Sequence, residues 1–131
     1  MDPTAEQLVA RLRSNPEDVQ AFSALKAHYH QHGDWPSLAN LVEGWAGRHR
    51  DGRAAAQALC EAADLVAHYL GDRHRAAALC EQALERDPWS QDAVERVERF
   101  LTDNGDFRRL ADVVERRANA LEAANADKRE V

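Results

Sequence analysis

The sequence is short of the residues that staple a fold, break it into strands or carry it across a bilayer. Its 131 residues hold two cysteines, Cys60 and Cys80, too few for a disulfide framework. Six glycines, four prolines and 6% aromatic residues are thin material for a β-sandwich. No apolar run approaches the roughly 20 residues of a membrane span. The opening Met1-Asp2-Pro3-Thr4-Ala5-Glu6 is acidic and lacks the basic-then-apolar layout of a signal peptide. A soluble, cytoplasmic protein without a membrane partner is the expectation. Positive charge is also the minority: 17 Lys and Arg against 23 Asp and Glu leave a net charge of −6, which argues against a surface that wraps nucleic acid or anionic lipid.

What is present points to helix. A hydrophobic fraction of 44% beside 31% charged residues is that of a globular domain, and the chain is regularly punctuated. Gly33-Asp34, Gly71-Asp72 and Gly105-Asp106 recur at separations of 38 and 34 residues. Each Gly suits the left-handed position that ends a helix, and each Asp suits the cap of the next. Asn15-Pro16 and Asp87-Pro88 read as a cap followed by Pro at the first helical position. These marks predict seven helices near 4–14, 16–32, 35–47, 53–70, 73–86, 88–104 and 107–126, with no strand. Residues 48–53 form the longest connector. With Gly44 and Gly47 weakening the helix before it, this is the expected place for flexing.

Laying residues 16–50 over 88–122, an offset of 72, aligns Ala21 with Ala93, Phe22 with Val94, Leu25 with Val97 and Tyr29 with Leu101. It also aligns Trp35 with Phe107, Leu38 with Leu110, Leu41 with Val113 and Val42 with Val114. The first unit reads Phe22-x2-Leu25-Lys26-x2-Tyr29 before Gly33-Asp34-Trp35, and the middle unit Ala76-x3-Cys80-x2-Ala83-Leu84-x2-Asp87-Pro88. In these residues the chain resembles the tetratricopeptide repeat family, whose helices carry Trp-x2-Leu-Gly-x2-Tyr and then Ala-x3-Phe with a closing Pro. Lys26, Asp64 and Glu98 stand where the family has a small residue. The resemblance implies a single all-α domain over residues 1–131, an α-solenoid stack of antiparallel helical hairpins. Its units would be repeats near 19–52, 55–88 and 91–124 behind an N-terminal capping helix at 4–14. Polar outer faces on the first and last helices are those of capping elements, and Ala126 to Val131 is expected as a frayed tail.

The candidate chemistry is sparse. His28 and His32 lie one helical turn apart with His30 between them. No third ligand is fixed by sequence, and histidines are favoured in a last turn by the helix dipole. Cys60 and Cys80 fall on buried stripes with no cation on their own faces, and Ser14, Ser23, Ser37 and Ser90 lie in no nucleophile turn. No phosphate loop is present. The chain therefore reads as no enzyme, with no metal and no cofactor. Arg73, Arg75, Arg108 and Arg109 occupy first turns of helices and could form an anion-facing rim, with Arg48, Arg50 and Arg53 too far away to join them.

The resemblance implies that the first helix of each repeat lines a groove that binds peptides, and helical geometry selects the side opposite each apolar stripe. The candidates there are Gln20, Ser23, His30 and Gln31; then Glu61, Leu65, His68 and Tyr69; then Asp92, Glu95, Arg99 and Asp103, with Ala27, Ala58 and Thr102 among them. Four acids against one Arg favour an apolar or basic segment of another protein. The Lys, Asn and Arg set with which some members of the family grip a C-terminal carboxylate is missing. Leu65 and Tyr69 form the sharpest candidate, an apolar pair that either binds a partner or packs on a neighbouring repeat. The leading expectation is a protein–protein interaction scaffold or adaptor that takes a peptide or helix in its groove. The alternatives are an anion-facing adaptor that uses the arginine rim on nucleic acid or an acidic protein, and a purely structural or oligomerising segment.

Overall fold

The structure, a computed structural model, describes residues 4–129. Among them it is helical throughout, without a strand: α1 (Ala5–Ser14), α2 (Val19–His32), α3 (Trp35–Arg48), α4 (Gly52–Leu65), α5 (Arg73–Arg86), α6 (Gln91–Asp103) and α7 (Phe107–Arg129). A π-helical segment, Val66–Leu70, carries α4 on to Gly71. No described helix is long and apolar enough to cross a membrane.

The Gly-Asp marks act as expected. Gly33 and Gly105 are left-handed, with φ of 66° and 73°. The following amides close the helix ends, Asp34 N donating to Tyr29 O at 2.9 Å and Asp106 N to Leu101 O at 2.8 Å. The Asp34 and Asp72 side chains then accept from Ser37 N at 3.3 Å and Arg75 N at 3.0 Å. The Pro marks act otherwise. Asn15 accepts from Glu17 N at 3.2 Å, and Asp18 N donates to Asn15 O at 3.0 Å. Asp87 does the same with Trp89 N and Ser90 N, both at 3.1 Å. Pro16 and Pro88 thus sit second in closed turns. The helices expected from 16 and 88 start at Val19 and Gln91, capped by Asp18 and Ser90. At the other end α7 runs through Ala126, the expected start of a tail, to Arg129. The rest of that tail, Glu130 and Val131, lies outside the described residues.

Each helix packs on the next, and α4 also meets α6 while α5 meets α7. The most extensive contact is between α4 and α5. Ala55, Ala56, Ala62 and Ala63 of α4 and Ala76, Ala77 and Ala83 of α5 are buried around Leu59 and Leu79, and such small side chains let helix axes approach. Where α4 begins, a Cβ on Gly52 would stand 2.3 Å from the carbonyl oxygen of Arg86, so only glycine fits. The Arg86 guanidinium donates to the carbonyls of Ala46 and His49 at the end of α3, which ties down the connector expected to flex. The first hairpin is packed by rings instead. Phe22 of α2 stacks on Trp45 of α3 at 4.8 Å, and Leu8, Ala21 and Leu25 form a small core of their own. Between α1, α2 and α3 an open cleft of about 590 Å³ remains.

Candidate partner-binding surface

Helix α2 leaves Gln20, Ser23, His30 and Gln31 exposed, and α6 does the same with Asp92, Glu95, Arg99 and Asp103. Between them α4 and its π-helical end present Glu61, His68 and Tyr69, also exposed. Ion pairs bridge the three helices across this face: Lys26 to Glu61 at 3.2 Å, Arg96 to Asp64 at 2.8 Å and Arg99 to Asp64 at 3.8 Å. Arg73 of α5 reaches Asp103 at 4.0 Å. Both Arg96 nitrogens that face Asp64 donate to its carboxylate, and this bond holds the guanidinium above its ordinary pKa.

Three of the expected residues meet through a fourth that the groove argument passed over. Trp35, the first residue of α3, lies flat on Tyr69 with ring centroids 4.0 Å apart and an interplanar angle of 10°. His30 meets Trp35 edge-on at 5.1 Å, and His68 meets Tyr69 edge-on at 4.6 Å. Tyr69 keeps 51% of its surface exposed. The signal for Trp35 was its place just after Gly33-Asp34, where an aromatic side chain enters beside the preceding turn. Leu65 separates from its supposed companion: it is half-buried against the main core.

The π-helical segment explains this split. At 100° per residue Leu70 falls on the buried stripe with Val66, but the wider turn rotates it outward to 39% exposure and lays Tyr69 over Trp35. Elsewhere on the face His68, Arg99 and Asp103 share a hollow of about 270 Å³ with Asp64 and Phe100. Glu61 and Asp92 share a polar one of about 910 Å³ with Cys60 and Arg96. Gln20, Ser23, Gln31 and Glu95 line none of these.

The remaining candidates are engaged locally. The His28 and His32 rings stack at 4.2 Å, and His32 Nδ1 lies 2.8 Å from the His28 carbonyl. No three His, Cys, Asp or Glu side chains gather as a metal cage among the described residues. Cys60 of α4 and Cys80 of α5 are buried free thiols. The neighbouring Cys60 thiol and burial push the Cys80 thiol well up, whereas the Cys60 thiol is lowered by Cys80 with help from Arg96, a cation on helix α6. Of the arginine rim, Arg75 donates to Asn40 and pairs with Glu43 at 3.6 Å, and Arg109 holds Glu81 at 2.8 Å. Glu81 is a buried carboxylate that sequence reasoning did not single out, and Arg116 reaches it from two turns further along α7 at 3.6 Å. Its bonds hold the Arg109 guanidinium above its ordinary pKa.

No family model matches the chain, and no curated protein matches it.

Proposed function

We propose that the chain is a non-catalytic protein–protein interaction module, a stack of tetratricopeptide-like helical hairpins working in the cytoplasm. It would bind an extended or helical segment of another protein across α2, α4 and α6. The observation that carries this reading is the Trp35–Tyr69 stack. Two flat rings held in register by different helices lose little side-chain freedom on binding, and His30 and His68 give the pair a polar edge. An aromatic anchor inside a polar ring is the anatomy of a hot spot. Glu61, Asp92, Glu95 and Asp103 are exposed along the same face, and their charge favours an apolar segment with basic flanks.

The alternative, an anion-facing rim, has less support because Arg75 and Arg109 are already committed to Glu43 and Glu81. The test is capture of partners from the source cell's lysate by the wild type, Tyr69→Phe and Tyr69→Ala, with each melting curve recorded. The expected result is a partner held by the first two and lost by Tyr69→Ala at an unchanged melting temperature. Capture that survives Tyr69→Ala, or capture of nucleic acid abolished by high salt, would remove the reading.

A further inference from the structure

We propose that the cleft between α1, α2 and α3 is a second docking site, and that its occupant is an amphipathic helix of another protein whose apolar stripe carries carboxylates at one end. None of its lining residues belongs to the face that bears Tyr69, so the two sites stand or fall separately.

The shape of the cleft is that of a helix-binding groove. Its floor is Phe22, Leu25 and Tyr29 of α2, with Leu12 of α1 on one side and Leu41 and Trp45 of α3 on the other. Gly44 leaves the backbone of the α3 wall bare, and a Cβ placed there would meet nothing within 4 Å. A partner's backbone can therefore approach closely at mid-wall. From Ser37 to Arg48 that wall is about 16 Å long at the helical rise, or about three turns of an incoming helix. Apolar side chains spaced three and four residues apart on such a helix would fill the floor.

Charge identifies the occupant's polar end. In a chain of net charge −6, no carboxylate lines this cleft; its only charged residues are Arg13 and Arg48. Neither is ion-paired among the described residues, whereas Arg11, Arg75, Arg96, Arg109 and Arg116 each hold an Asp or Glu. Arg13 stands in the last turn of α1 and Arg48 in the last turn of α3. Short turns make α2 antiparallel to both, so these two helix ends lie at the same end of the cleft. An acidic cluster at one end of the incoming stripe would pair with both guanidiniums, while a basic segment would be repelled. This preference is opposite to that of the Tyr69 face.

The test is selection from a displayed library of helical peptides about 14 residues long, with leucine fixed at i, i+3, i+4 and i+7 and every other position random. Selection on the wild type is expected to enrich Asp and Glu at one end of the stripe. A selected peptide, made synthetically, should bind about tenfold or more weakly to Gly44→Leu, which fills the cleft, and to Arg13→Glu with Arg48→Glu. Selection on that charge-reversed protein should enrich Lys and Arg instead. Both arginines are exposed, so the reversed protein keeps the test valid even if Gly44→Leu fails to fold. The proposal is overturned if nothing is enriched, if the ends show no charge bias, or if binding is indifferent to both variants but lost in Tyr69→Ala. One-to-one binding of dodecanoate with the same sensitivity to both variants, and no enriched peptide, would assign the cleft to a small anionic amphiphile and likewise overturn it.

Discussion

The α2–α3 and α4–α5 hairpins share a left-handed glycine, a capping Asp and a closing turn, yet they are packed by opposite means. In α4–α5, alanines take up so little room that the helices close on each other and leave only core between them. In α2–α3, Phe22 on Trp45 and His30 on Trp35 hold the helices through their rings, and bulky side chains do not fill the space they open. Small residues thus produce the part of the molecule that holds it together. Large ones produce two surfaces with unsatisfied apolar area, the stacked pair and the cleft.

The contrast breaks most sharply under truncation. Leu79→Ala, in the alanine-lined centre, should cost roughly 2–5 kcal/mol, read as a lower urea midpoint at unchanged slope. Leu41→Ala, in the half-open cleft wall, should cost about 1 kcal/mol because the side chain is only half-buried. Equal losses would mean that the first hairpin is packed as tightly as the second. Enlargement sharpens the same point. Ala63→Leu, with no room at the α4–α5 contact, should destabilise by about 1–3 kcal/mol. Gly44→Ala, facing open space inside a helix, should stabilise by roughly 0.5–1 kcal/mol.

Amide exchange extends the comparison to dynamics. The slowest amides should lie in α4 and α5 and faster ones in α1 and α2, where the local core is three residues deep. Uniform protection would show one cooperative unit instead. The smallest effect expected is with acid. The backbone amide of Ala21, helped by Arg11, holds Asp18 below its ordinary pKa of 3.8. A depressed folded-state pKa gives stability that is present above the unfolded value and lost as pH falls through the folded one. The protection factor at the start of α2, corrected for the intrinsic pH dependence of exchange, should therefore fall below about pH 4, and Asp18→Asn should flatten that dependence.

Helix ends marked by glycine were legible because only one backbone region suits them. Asn15-Pro16 and Asp87-Pro88 were misread because the same pair that can cap a helix can also close a turn. Asp18 and Ser90, three residues on, decide the matter by capping for themselves. The 72-residue offset survives this correction, since both turns shift together. On the candidate surface, helical periodicity located Tyr69, His30 and His68, whose exposure is a local property. Trp35 as the partner of Tyr69, and Glu81 as a buried acid, belong to packing between helices that periodicity does not carry. The cleft was invisible for a simpler reason: it is a space left by side chains on three helices, and no residue names it.

The segment Val66–Leu70 also has a genetic consequence. A π turn holds one residue more than an α turn, so this stretch is where the chain can lose a residue without losing its frame. Deleting Ala67 should let α4 wind as an ordinary helix to Gly71, leaving α5 docked and the melting temperature little changed. Tyr69 would then swing off Trp35, and partner capture should go with it. One codon would thus separate a lineage that carries the aromatic stack from one that keeps the fold and has given it up.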